Sequence, residues 1–499
     1  MRIIKFFNPG ILIKNLSNSF SKKSSLPPKK ILKTVFLIII IILLFYKIHN
    51  PYSDLYQKFS THRNFYGDEV KYLRMTQSLA TDGNIELSNL RQFSDIWQDE
   101  EKKEEKGLPA DNILQFGHYF TGKNGGVYSL HMPGVSLLLL PSYLLDSILY
   151  PTDPKFDPPE FPLMPRKLCL TRLLLFIMAV LIIFLLSRLL YHLFNSLFLG
   201  MLLLLLFVLN SPFAGYIFQI YPDLWAVFFS LLVLNAIFFP FKNKWLNYIL
   251  IIIGIGALPW LHQRLIPLSL GLFLCYIFYR RKENNFFKKA SILCFILAII
   301  SLLYFYYFYS ITGNPSPLSP AKLHGRVYAS WENLPLGFFG NFFHPMFSII
   351  WAYPWIILFF FGIYWGFKKD FRLTIALLLI FIPNYLIASA AVPWHGATWP
   401  KNRHLLAILP LFLIFSGFTI QDFFQKFSYS KLIFYLSYFV LIILNTKIWF
   451  IKFEFSLNSF TYSDLIWIIK SIIIISFLYL SIFLSEKFLF QKDNLIPGK

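Results

Sequence analysis

Thirteen predominantly apolar runs of 16 to 23 residues punctuate this chain and constrain its fold more than any other feature. They occupy 32–48, 133–150, 169–190, 197–214, 222–240, 245–261, 265–280, 290–309, 345–367, 373–391, 404–420, 431–450 and 465–485. Crossing the hydrocarbon of a bilayer takes about 20 apolar residues as a helix, because only a helix satisfies its own backbone there. Composition agrees. Charged residues make up 14% of the 499, against roughly 25% in soluble domains, too few to cover several globular surfaces. The net charge of +21 does not mark a nucleic-acid binder, which needs its cations on one continuous face. Here Lys and Arg fall in small clusters between the apolar runs. The chain reads as a polytopic membrane protein.

Charge placement sets the expected topology. Residues 1–33 hold eight Lys/Arg and no acid, which places them in the cytoplasm by the positive-inside rule. The polar stretch 50–132, with 12 of the 25 acids, then lies outside. If 133–150 does not cross, 24 basic residues fall inside and six on the short outer loops: Arg264, Lys322, Arg326, Lys401, Arg403 and Lys452. The charge rule favours that arrangement strongly. The expected fold is an all-α polytopic membrane protein with about 12 transmembrane helices. An outer juxtamembrane or re-entrant helix over 133–150 and a large first outer loop complete it. Its parts are a basic tail (1–31), a transmembrane module (32–420, including the outer region 50–168), and C-terminal helices with a tail (421–499).

This topology gathers the unusual short sequences on the outer side. They include Gly67-Asp68-Glu69, Tyr128-Ser129-Leu130-His131-Met132-Pro133-Gly134, Tyr221-Pro222-Asp223, Trp260-Leu261-His262-Gln263-Arg264 and the segment from Pro393 to His404. Charges at a membrane boundary are costly and mark functional sites more often than usual. Residues 68–83 read as an amphipathic helix, with Val70, Leu73, Gln77 and Ala80 on one face and Asp68 and Glu69 in the first turn, where the helix dipole favours acids. Asp68 and Asp223 therefore suit helix N-caps as well as functional carboxylates. Arg264, Lys401 and Arg403 suit phosphate oxygens as well as interfacial snorkelling. No HxxxH or HExxH spacing among His62, His118, His131, His262, His395 and His404 supports a divalent metal. Cys169, Cys275 and Cys294 form no CxxC pair or even framework.

In their order and shared side, GDExxYLxxxxxLxxDG, YSLHMPGVSLLLLPSYLL, YPDLWAVFFSLLVLNA, LPWLHQR and WHGATWPKNRHLLAILPLF resemble the C-type (GT-C) integral-membrane glycosyltransferases. The resemblance is to the branch containing protein O-mannosyltransferases, the lipid A aminoarabinose transferase and bacterial lipopolysaccharide sugar transferases, and covers roughly 30–420. It implies a polyprenyl-phosphate-linked sugar as donor substrate; a divalent metal stays open, with no ligand spacing to support it. It implies a glycan, lipid A or protein acceptor, and a bacterial inner-membrane location with the site facing the periplasm. By motif, the essential outer-loop acid falls on Asp68 with Glu69 beside it, and the second acid on Asp223. The residues for donor phosphate or substrate are Arg264, Arg403, Lys401, His262 and His131. The sequence departs from the family pattern at Met132, where proline is usual, and at Asn402, where glycine is commoner. A transporter or flippase of lipid-linked sugars is the alternative from another class. It accounts for twelve spans but not for the acid-rich outer region, and the two halves show no internal repeat of the kind many transporters carry. A ligase or polymerase of preassembled glycans would carry its large loop later in the chain.

Overall fold

The structure, a computed structural model, describes residues 68–87, 119–151, 168–209, 212–217, 219–323, 329–344, 348–392 and 403–426. The expected spans 32–48, 431–450 and 465–485 lie outside the described residues. The described chain is dominated by helices: α1 (Glu69–Thr81), α2 (Gly134–Leu149), α3 (Cys169–Phe194), α4 (Leu197–Leu209), α5 (Pro222–Phe238) and α6 (Lys244–Leu261). They are followed by α7 (Ile266–Arg280), α8 (Phe286–Thr312), α9 (Leu334–Phe343), α10 (Leu358–Lys369), α11 (Phe371–Ala390) and α12 (Leu409–Lys426). By length and composition, five helical stretches can cross a membrane: Cys169–Phe194, Lys244–Leu261, Phe286–Thr312, Phe371–Ala390 and Arg403–Gln425. The last joins a 3-10 turn, Arg403–Ile408, to α12.

Side-chain bonds fix the helix directions. At one end, Glu69 bonds both Arg172 in the first turn of α3 and the backbone N–H of Ile220 just before α5. At the other, Arg188 near the end of α3 donates to Asn235 Oδ1 (2.8 Å) and the Phe239 carbonyl (2.6 Å) at the end of α5. These two helices are parallel. The antiparallel α6 returns to the first end, where Arg264 pairs with Asp223. Helix α5 is buried around nearly its whole circumference, as an all-round apolar helix in a bundle must be. Helix α8 lies at the periphery and exposes Phe295, Leu302, Leu303 and Tyr306. That apolar surface suits lipid, where no polar face is needed.

Helix α2 keeps to one end of the bundle. Its first residue, Gly134, sits so close to the Trp260 carbonyl at the end of α6 that a Cβ would collide with it. At its other end Asp146 is fully buried and accepts from the N–H groups of Leu170 and Thr171 and the Thr171 hydroxyl, each at 2.8 Å. Asp146 thus caps α3 from a neighbouring helix, since Leu168 at the N-cap offers no side-chain acceptor. Both ends of α2 meet the same end of the bundle, so this 16-residue helix does not traverse it.

Three expectations are corrected. The run 345–367 is not one helix: Ile349–Ala352 and a 3-10 turn at Pro354–Ile357 precede α10, because proline cannot donate to a helical ladder. The run 197–214 is not described as one helix: α4 is described to Leu209 and a separate helical turn spans Phe213–Tyr216. Helix α1 is not amphipathic in the sense of having a solvated face over its middle. Glu69 and every residue from Tyr72 to Ser78 are buried, because α2 packs along α1 and Arg74 reaches the Tyr119 hydroxyl of the hairpin below.

A hairpin pairs β1 (Tyr119–Thr121) with β2 (Val127–Ser129), matching Tyr119 to Ser129 and Thr121 to Val127. Its turn docks on the end of α8, where Lys123 N–H donates to the Ile311 carbonyl at 2.9 Å. Strand β2 runs directly into Leu130 and His131, and so delivers an imidazole to the end of the bundle where α1 begins.

Candidate active site

Helix starts and links at one end of the bundle supply a compact charged cluster. From α1 come Asp68, Glu69, Lys71 and Tyr72; after β2 comes His131; the first turn of α3 gives Arg172. The start of α5 gives Tyr221 and Asp223, the α6–α7 link gives His262 and Arg264, and the turn before α12 gives Arg403 and His404. Of the eight site residues expected from sequence, seven converge here: Asp68, Glu69, His131, Asp223, His262, Arg264 and Arg403. Lys401 lies outside the described residues, as do His62, His118 and His395.

Asp68 occupies the N-cap position but makes no side-chain capping bond. Its carboxylate instead faces cations: Oδ2 lies 3.2 Å from Arg403 Nη1, and Oδ1 lies 3.1 Å from Lys71 Nζ and 3.5 Å from His131 Nε2. Residues 335 apart in sequence thus share one ion pair. The Arg403 guanidinium also lies 5.4 Å over the Tyr221 ring, a cation–π contact that fixes its plane.

Glu69 is held differently. Arg172 grips it in bidentate fashion, Nη1 to Oε1 at 2.8 Å and Nη2 to Oε2 at 3.2 Å, and the Ile220 N–H donates to Oε1 at 2.7 Å. With 1% of its surface exposed, Glu69 ties α1 to α3 and α5 and does not open on solvent. Arg172 was not singled out from the sequence, because it sits inside the apolar run 169–190. An ionisable residue within such a run is itself a signal.

Asp223, also 1% exposed, follows Pro222 in the first turn of α5, with Tyr221 at the N-cap. It pairs through Oδ1 with Arg264 Nη2, while its Oδ2 is buried without a hydrogen-bond partner among the described residues. Arg264 donates through Nη1 to His404 Nδ1, and its backbone N–H donates to His262 Nδ1 at 3.2 Å. A guanidinium and an amide can only donate, so Nδ1 of both imidazoles accepts. Among the described residues of the cluster, the four paired cations, Lys71, Arg172, Arg264 and Arg403, outnumber the three carboxylates Asp68, Glu69 and Asp223.

His131 and His262 lie between the two acid–arginine pairs, their rings 6.3 Å apart. Burial pushes the His262 imidazole well below its ordinary value, and Arg264, His131 and Arg403 push the same way against Asp68. Burial also lowers His131, although Asp68 opposes the shift. Tyr72, buried against the cluster, is raised well above the ordinary phenol range by burial and then by Asp68, and stays protonated. Among the described residues no group of three or more His, Cys, Asp or Glu is arranged to hold a metal ion.

Close to the cluster, an apolar groove of about 370 Å³ runs between α6, α7 and α8, lined in part by Gly256, Trp260, Ser269, Phe273 and Tyr304. Trp260, on the lining, stands two residues before His262 in the chain. No protein-family model matches the chain, and no curated protein and no solved structure is significantly similar to it.

Proposed function

We propose that the protein is a membrane-embedded glycosyltransferase of the C type, with about twelve spans and both termini in the cytoplasm. It takes a sugar from a polyprenyl-phosphate donor and passes it to a lipid, glycan or protein acceptor on the periplasmic side of a bacterial inner membrane. The observation that carries this reading is the position of Asp68. It is a buried carboxylate on an ionic cluster whose described cations outnumber its described acids, at the end of an apolar bundle that also carries Asp223 and Arg264. A site that moves a sugar from a lipid phosphate needs these parts together: a base for the acceptor hydroxyl, cations for the departing phosphate, and an apolar flank for the chain.

In this reading Asp68 takes the proton of the acceptor hydroxyl. The acceptor oxygen bonds to the anomeric carbon as the bond from that carbon to the phosphate oxygen breaks, with inversion. The phosphate leaves as an anion on Arg403 and Arg264, which stabilise charge as it builds. Asp223 orients Arg264, and Glu69 with Arg172 braces the start of α1. The groove beside Trp260 and Tyr304 receives the first isoprene units of the donor. A retaining route would need a second carboxylate as nucleophile, and Glu69 is committed to Arg172 and Ile220.

Mass spectrometry of cell-surface glycans tests the reading in cells. Cells lacking the protein are expected to lose one sugar from a surface glycan, lipid or protein. The native chain restores it and the Asp68→Asn chain does not. Unchanged glycans in the deletion, or full restoration by Asp68→Asn, would contradict it.

A further inference from the structure

We infer that Tyr72 and His131 are positioning residues for Asp68: Tyr72 fixes the tautomer of His131, and the Nε2–H of His131 then fixes the orientation of the Asp68 carboxylate. The geometry is a buried chain of three side chains. The Tyr72 hydroxyl lies 3.3 Å from His131 Nδ1, and His131 Nε2 lies 3.5 Å from Asp68 Oδ1. All three are at least nine-tenths buried, with exposures of 1% for Tyr72, 8% for His131 and 7% for Asp68.

The direction of each bond follows from chemistry. Asp68 faces Lys71 and Arg403, so it is a carboxylate, which can only accept. A hydrogen bond across the 3.5 Å to Asp68 therefore needs the proton on Nε2. A neutral imidazole has one N–H, so Nδ1 is left as an acceptor, and the Tyr72 hydroxyl donates to it. Burial keeps the ring neutral and keeps Tyr72 a phenol. The groups facing His131 are Asp68, Lys71 and Tyr72 on α1, His262 after α6, and Arg403 before α12. The backbone of His131 is itself held, because its N–H donates to Ser129 Oγ at 3.1 Å.

Sequence makes the device local. Tyr72 stands one helical turn after Asp68 in α1, so the residue that sets the tautomer and the carboxylate it serves share one face. Its backbone is held as well, because the Tyr72 carbonyl accepts from the Ser136 hydroxyl of α2 at 2.8 Å. Helix α2 begins three residues after His131, so α2 fixes the spacing of the whole chain. Lys71 and Arg403 also hydrogen-bond the Asp68 carboxylate, at 3.1 and 3.2 Å, but from long flexible side chains. His131 adds a third contact from a rigid ring whose backbone and Nδ1 are themselves held.

The tautomer is independent of the transfer reaction, whereas the positioning role rests on the glycosyltransferase reading, and two measurements separate them. The first is ¹⁵N NMR of histidine-labelled protein in lipid nanodiscs near neutral pH, with the His131 signals assigned by their loss in His131→Gln. The native protein is expected to show His131 as the Nε2–H tautomer, with the Nδ1–H form growing in Tyr72→Phe. An Nδ1–H tautomer or an imidazolium in the native protein, or an unchanged spectrum in Tyr72→Phe, would overturn the inference whatever the protein catalyses. The second is sugar transfer from a polyprenyl-phosphate donor. A glutamine amide nitrogen reproduces the Nε2 position, so His131→Gln is expected to keep kcat within about threefold of native. His131→Asn and His131→Leu lose about tenfold to a hundredfold, with the donor KM unchanged. Equal losses in the Gln and Leu variants, or losses confined to KM, would overturn the positioning role.

Discussion

The two ends of the helical bundle carry the same kinds of cation but spend them differently. At the basic end, Arg188, Arg280 and Arg372 donate to the backbone carbonyls of Phe239, Ala236 and Tyr279, the last residues of α5 and α7. Helix C-termini leave such carbonyls unpaired and carry partial negative charge, so a cation there is a structural complement. Its ion pairs are local: Glu283 takes Arg280 and Lys289, three and six residues away. At the other end the cations meet carboxylates from distant segments, Arg403 with Asp68, Arg172 with Glu69 and Arg264 with Asp223. Buried pairs gain little stability after desolvation. Their concentration at one end is what the proposed function requires. Counting charges distinguishes the two ends weakly; asking what each charge binds distinguishes them well.

The largest effect is expected at Asp68. Asp68→Asn keeps the shape and removes the proposed base, so transfer falls by about a thousandfold in a purified-enzyme assay, while the variant still folds and inserts. Full activity of this variant would erase the contrast between the ends. Arg264→Gln and Arg403→Gln come next. Each loses a charge-assisted bond to the phosphate, and the donor KM rises about tenfold to a hundredfold.

Stability separates the ends in another way. Glu69→Ala strands Arg172 in a buried position and costs about 3 kcal/mol, whereas Glu283→Ala, on the partly exposed pair at the basic end, costs about 0.5 kcal/mol or less. Thermal melting of both variants in the same lipid checks the ratio; equal losses would show that the two kinds of pair are energetically alike.

A smaller effect follows from the histidines. His131 and His262 both have folded-state values below the ordinary 6.5, so the unfolded chain binds protons first as pH falls. Stability is unaffected well above pH 6.5 and declines as pH drops below it. Melting temperature measured from pH 7.5 to 5.5 is expected to fall less steeply in His262→Gln than in the native protein. The smallest effect is at Lys242, exposed at the basic end: Lys242→Glu leaves kcat and donor KM unchanged.

Much of the bundle was legible because apolar length and charge placement are one-dimensional signals. The start of α5 at Pro222, the end of α6 at Leu261 and the non-crossing course of α2 all follow from them. So does the shared side of Asp68, Asp223, Arg264 and Arg403. The break before α10 was not legible by hydropathy, which counts Pro354 as one more uncharged residue and ignores its missing N–H. Arg172 was hidden for a related reason: a long apolar average absorbs one charge. The partner of each cation lay beyond any local pattern, since Arg403 and Asp68 meet only when the bundle closes. Sequence therefore left Asp68 divided between cap and functional carboxylate; in the fold its side chain makes no capping bond and turns to Arg403 and Lys71.

The most direct test of the central claim is to incubate the purified protein in liposomes with a radiolabelled polyprenyl-phosphate sugar and a cell-envelope acceptor extract. Stoichiometric release of free polyprenyl phosphate with label appearing in the acceptor, lost in Asp68→Asn, is the predicted result. Movement of intact sugar-lipid between leaflets, unchanged by Asp68→Asn and with no free polyprenyl phosphate, would contradict the account and make the protein a flippase.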